Sequence, residues 1–187
     1  GPTVSTRDLI THRSFMHRHD ALWYLNAYTR DELVRRLRHL PRLASGTSVF
    51  QYSNLMVMAA GRIAGRISGG SWEKLTRDKI LAPLGMKNTR LGLTAFRAAA
   101  DRALGYYPGA DGRIPIPARD TDVIGPAAAV YSNIGDMTRW LRHLMDARNI
   151  TTARIKIGDP PTQRELGPKS YGMGLYLGSY RGHPLAR

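Results

Sequence analysis

The spacing of apolar positions along the chain is mostly helical. Thr29 and Glu32 stand at capping-box spacing, Leu33, Leu37 and Leu40 follow at i, i+4 and i+7, and Pro41 closes the run. That register turns Arg35, Arg36 and Arg38 toward solvent. A second helix is expected over Asn54 to Ile67, where Leu55, Met58, Ala59, Ile63 and Ile67 bury one side until Gly69-Gly70 breaks the pattern. Ser71 caps a third, with Trp72, Leu75 and Ile80 inward and Pro83-Leu84-Gly85 at its end. Asn133 and Asp136 open a fourth, carrying Met137, Trp140, Leu141, Leu144 and Met145. Near the start, Ser5 precedes Asp8 by the spacing of a short capped helix.

Strand signals are fewer. The Gly/Pro-rich stretch from Tyr106 to Pro126 reads as loops with one small hairpin at Asp111-Gly112, and Ile150 to Ser170 reads as irregular. Tyr171 to Tyr180 alternates glycine with Met173, Leu175 and Leu177, which predicts a strand that turns at Arg181-Gly182. The expected fold class is therefore mainly α: a helical domain over residues 3–150, then an irregular segment and a short C-terminal strand or hairpin over 151–187.

Composition narrows the function classes. With 42% hydrophobic and 22% charged residues, the chain is neither disordered nor collagen-like nor a coiled coil. No apolar run approaches the roughly 18 residues of a membrane span, so none is predicted. The absence of cysteine removes disulfides, thiolate catalysis and Cys-based metal sites, leaving only His and carboxylates as metal ligands. A net charge of +14 raises the question of anionic partners, nucleic acid included. The arginines are spread along the chain instead of gathered on one stripe, which favours a solvated basic surface over a nucleic-acid groove.

Four segments in one order carry a resemblance. Thr6-Arg7-Asp8-Leu9-Ile10-Thr11-His12-Arg13-Ser14, Phe50-Gln51-Tyr52-Ser53-Asn54-Leu55, Leu81-Ala82-Pro83-Leu84-Gly85-Met86 and Ala127 through Met137 resemble successive blocks of the serine beta-lactamase-like family. That family takes in class C beta-lactamases, D-alanyl-D-alanine carboxypeptidases and beta-lactamase-type esterases. Phe15 stands where the family has glycine after the His-x-Ser block. The resemblance implies a helical domain set beside a sheet domain, no cofactor, and hydrolysis of esters or amides through a serine of a Ser-x-x-Lys helix. It also implies that Tyr52, of the Tyr-x-Asn element, moves the serine proton and that Asn54 orients the substrate amide.

Ser71-Trp72-Glu73-Lys74 and Thr76-Arg77-Asp78-Lys79 fit the nucleophile pattern by letters, but follow Tyr52-Ser53-Asn54 where the family's nucleophile precedes it. A capping serine with a solvent-facing lysine accounts for the first, and helix capping likewise accounts for Tyr131-Ser132-Asn133. The expectation is a truncated member without the Ser-x-x-Lys segment and the later Lys-Thr-Gly or His-x-Gly strand.

Two other function classes stay open beside the acyl hydrolase. His12, His17, His19 and Asp20 offer imidazoles and a carboxylate within nine positions, a set that suits zinc or manganese. Such a metal would make a hydrolase of phosphate or other activated esters. The third class is a non-catalytic basic binding module. Truncation is also expected to expose Tyr171, Met173, Leu175 and Leu177 as an apolar sheet edge, which predicts a homo-oligomer.

Overall fold

The computed structural model describes residues 3–24, 27–44, 49–157 and 169–187. Local capping starts several of its helices as the sequence predicts. Helix α1 (Thr6–Ile10) opens on a reciprocal box between Ser5 and Asp8. The short α2 (Ala21–Tyr24) follows, and then α3 (Arg30–Arg36) opens on the same box between Thr29 and Glu32. The chain tightens into a 3-10 turn at Leu37–His39 ahead of Pro41.

The core gathers around α4 (Asn54–Ile67). Leu55, Met56 and Met58 of this helix join Met16, Leu33 and Ile124 in one buried cluster, with Leu9, Trp23, Tyr28 and Val34 packed against it. Each fully buried Leu or Met contributes roughly 1.5–3 kcal/mol of apolar burial. On its far side α4 is narrow. A Cβ on Gly61 would collide with Pro126, and one on Gly65 would lie 2.6 Å from the backbone nitrogen of Trp72. These two glycines let α5 (Trp72–Thr76) and α7 (Gly125–Ala128) sit against the helix. Arg30 locks the assembly: its guanidinium donates to Glu73 at 2.8 Å and to the carbonyls of Asp122 and Val123 at 2.7 and 3.1 Å.

Beyond α5 a single π turn (Arg77–Leu81) leads to β1 (Arg90–Leu91) and α6 (Leu93–Arg97). The expected hairpin is present as β2 (Gly105–Gly109) and β3 (Gly112–Ile116), with Gly112 at φ +132. A 3-10 turn (Asp122–Ile124) enters α7, and β4 (Val130–Tyr131) then pairs antiparallel with β1. Helices α8 (Ile134–Asp146) and α9 (Arg148–Thr151) precede a four-stranded antiparallel sheet. Its strands in spatial order are β5 (Ile155–Lys156), β6 (Ser170–Tyr171), β7 (Tyr176–Tyr180) and β8 (His183–Ala186). Arg181 and Gly182, both at positive φ, make the β7–β8 turn.

The mainly α expectation is overturned: the described residues are 42% helical and 17% strand, a mixed α/β fold with several sheets. Strands β1, β4, β5 and β6 are two residues long, too short for a period-two pattern to mark them. The expected apolar edge is corrected as well. Tyr171 is 3% exposed, and β7, which carries Leu177, lies between β6 and β8, so among the described residues the edges of this sheet are β5 and β8. Of the stretch expected to be irregular, residues 158–168 lie outside the described residues.

Candidate active site

The Tyr-x-Asn element sits where an extended segment turns into a helix. Ser53 is the N-cap of α4, in extended conformation, and is fully buried, while Tyr52 and Asn54 on either side of it are half-buried. Alternation in an extended segment puts the flanking pair on one side and Ser53 on the other. On the outer side, Asn54 Nδ2 donates to Asp20 Oδ1 at 3.3 Å, and Trp23 Nε1 donates to the same oxygen at 2.9 Å. The other Asp20 oxygen accepts a short bond from Arg18 Nε, and the Arg18 guanidinium lies 5.5 Å from the centre of the Tyr52 ring. Arg18 and Asp20 thus connect the two members of the pair.

Burial raises the Tyr52 phenol above its ordinary pKa of 10.0, and Tyr176 and Asp20 add to the effect, while the Arg18 charge opposes it. Near pH 7 this phenol keeps its proton. Arg18, the charge that opposes the shift, is itself paired with Asp20.

Beneath the corner lies His12, which is fully buried. Its carbonyl accepts from Gln51 N–H at 2.8 Å, its Nδ1 accepts from Ser53 N–H at 3.1 Å, and its Nε2 is 3.1 Å from the Tyr171 hydroxyl. The ring packs against Tyr52, Tyr171 and Phe50 at centroid distances of 4.4, 5.1 and 5.5 Å. Burial lowers the imidazole to a pKa of about 4, so it is neutral near pH 7.

The four residues weighed as metal ligands are divided. His12 is turned into the core with both ring nitrogens engaged, and Asp20 is occupied by Arg18, Trp23 and Asn54. His17 and His19 do face each other, edge to face at 5.7 Å, with His19 lowered in pKa by burial and by the neighbouring His17. Among the described residues no group of three or more His, Asp or Glu side chains is placed to hold a metal ion. Among them, too, no helix is long and apolar enough to cross a membrane.

The other lettered matches have local duties. Ser71 Oγ accepts from Lys74 N–H at 3.1 Å, and the exposed Lys74 ammonium pairs with Asp78. Asn133 caps α8 by accepting from Asp136 N–H at 2.9 Å. Sequence reasoning passed over Arg18 and Tyr171. A cation two residues before Asp20 was available as a signal for the first, but nothing local marks Tyr171, which lies 159 positions from its partner His12. Phe15, noted as standing at a glycine position, adopts a glycine-like φ of 64°.

The central helix α4 carries a half-buried tyrosine and asparagine at its start, tied through His12 to an antiparallel sheet. The sequence profile of the family described as Beta-lactamase matches residues 1–186, and the chain belongs to that family. Among curated relatives, the unguisins hydrolase ungD' of Aspergillus campestris is 32% identical over 76% of this chain and 28% of its own length. A second, unguisins hydrolase ungD of Aspergillus violaceofuscus, is 27% identical over 97% of this chain and 38% of its own length. The chain thus spans well under half of either relative. Of solved structures, the octameric penicillin-binding protein homologue from Pyrococcus abyssi superposes with a TM-score of 0.75 at 22% identity, over 93% of this chain and 43% of that one. The D-amino acid amidase of Ochrobactrum anthropi SV3 gives 0.71 at 22% identity, over 98% and 57%.

Proposed function

We propose that this chain supplies the tyrosine and asparagine of a serine acyl hydrolase acting on carboxylic esters or amides. Tyr52 takes the proton of a serine hydroxyl as its oxygen attacks the acyl carbon, and returns that proton to the leaving group as the ester or amide bond breaks. Water then releases the acyl group by the reverse proton path. Asn54 holds the substrate amide. The observation that carries this reading is the corner itself: Tyr52 and Asn54 on one side of a buried Ser53, linked through Arg18 and Asp20. The raised phenol calls for a second cation, and the lysine of a Ser-x-x-Lys segment would provide it. Ser71 and Lys74 are a cap and an ion pair, so the reading assigns that role to a segment other than theirs. The likeness in fold to a D-amino acid amidase favours amides among the substrates.

The test is covalent labelling by a fluorescent penicillin or fluorophosphonate, together with turnover of a panel of carboxyl esters and D-aminoacyl amides. Labelling and turnover that both fall on Tyr52→Phe support the reading; a Tyr52→Phe protein that turns the panel over at the wild-type rate removes it. Assembly into a homo-oligomer belongs to the same proposal. It is supported by the octameric Pyrococcus homologue and by the exposed Ile134, Leu141 and Met145 along α8. A light-scattering mass equal to the monomer at every dilution would remove that part.

A further inference from the structure

We propose that His12 is a positioning residue, a neutral imidazole that ties the backbone between Tyr52 and Asn54 to Tyr171 of the sheet and so sets the aim of the proton-transfer pair. The proposal rests on the acyl-transfer reading. The hydrogen bonds assign the tautomer. Ser53 N–H can only donate, so the His12 Nδ1 that lies 3.1 Å from it carries a lone pair. The single proton of the neutral ring is then on Nε2, which donates to Tyr171 Oη at 3.1 Å. One nitrogen therefore faces the corner and the other faces β6.

Three further observations point the same way. The His12 carbonyl accepts from Gln51 N–H, so residues 51 and 53 are both pinned by one residue, with Tyr52 held between them. The ring packs against the Tyr52 ring, with centroids 4.4 Å apart at a tilt of 41°, and so limits where the phenol can swing. Finally, His12 adopts a φ of 57°, which costs a non-glycine residue on the order of 1 kcal/mol and persists only where the surroundings hold it. Apolar packing alone would be met by phenylalanine. What imidazole adds is an acceptor and a donor on opposite sides of a flat ring, and both are used.

The experiment is NMR on the isotopically labelled chain, with His12→Asn, His12→Phe and Tyr171→Phe as variants. In the wild type near pH 7, the His12 ring should show a bare Nδ1 and a protonated Nε2; the opposite tautomer overturns the proposal. His12→Phe should speed hydrogen exchange of the Ser53 amide by about 100-fold, the loss of a protecting bond, and move the Tyr52 ring resonances. In His12→Asn the amide oxygen replaces Nδ1 and asparagine tolerates the left-handed backbone, so Ser53 protection should return to within about 10-fold of wild type. A folded His12→Phe with wild-type Ser53 exchange and Tyr52 shifts overturns the proposal, as does an Asn variant no better protected than Phe. Should His12→Phe not fold, Tyr171→Phe decides: an unmoved Nε2 signal there shows that the sheet tie does not exist. None of these readings needs substrate. A wild type without turnover or label would sink the acyl-transfer reading and leave the tie measurable.

Discussion

The chain contains the same tripeptide twice, each time at a helix start, and the two copies do different things. In Tyr131-Ser132-Asn133, asparagine is the cap: its side chain accepts from Asp136 N–H, and Asp136 in turn accepts from Asn88 N–H at 2.8 Å and Thr89 Oγ1 at 2.9 Å. Thr89 spends its proton on Asp136 and takes one from Ser132, 2.8 Å away. Tyr131 stacks on Phe96 at 4.4 Å. In Tyr52-Ser53-Asn54 the helix starts one residue earlier. Ser53 occupies the cap position without a side-chain capping bond, its amide is taken by His12, and Asn54 is left to reach outward to Asp20. The residue three past the cap accounts for part of this: it is Asp136 after Asn133 but Met56 after Ser53. A polar, locally satisfied start makes a structural joint; a start whose amide is satisfied from below leaves its tyrosine and asparagine to meet side chains outside the helix, Arg18 and Asp20.

That contrast can be broken most sharply at the two tyrosines. Tyr52→Phe should cut kcat/KM by at least about 100-fold on any ester or amide the protein turns over, whereas Tyr131→Phe should stay within about threefold. Equal losses at both would erase the functional difference between the copies. The carboxylates come next. Asp136 is 1% exposed and holds three donors, so Asp136→Ala should cost about 3 kcal/mol in urea unfolding, by stranding buried N–H and O–H groups. Asp20 is partly exposed, and its removal should cost no more than about 1 kcal/mol while disturbing turnover through Asn54.

The third difference is a pH response at the first copy. The folded pKa of His12, about 4, lies below its ordinary 6.5, so between these values the unfolded chain binds a proton that the folded chain does not. Stability is then greatest above pH 6.5 and falls as pH drops toward 4, by up to about 3 kcal/mol. Unfolding followed across this window should lose much of that slope in His12→Asn; an identical slope would assign the acid sensitivity elsewhere. The smallest expected effect is at the caps: Asn133→Ala should cost about 1 kcal/mol, and Asn54→Ala less than about 0.5, because only the former side chain satisfies a helix amide. Thermal melts of the two variants give the comparison.

Local interactions account for what could be read without the structure. The boxes Ser5/Asp8 and Thr29/Glu32, the caps at Ser71 and Asn133, the helical run through α4 and the tight turn before Gly112 are all encoded within a few residues. Capping and periodicity act at that range, so the sequence by itself determined where these helices and this hairpin begin, and the four ordered blocks determined the family. It did not determine the sheet, whose two-residue strands β5 and β6 exist only through their cross-strand partners. Nor could it divide the histidines. His12, His17 and His19 fall within eight positions, yet only the first enters the core, because Ser53 N–H and Tyr171 Oη, 41 and 159 residues away, meet both of its ring nitrogens. A buried imidazole is tolerated only where such partners converge, and their convergence is a property of the packed chain, so the choice between metal ligand and buried core residue belonged to the tertiary structure.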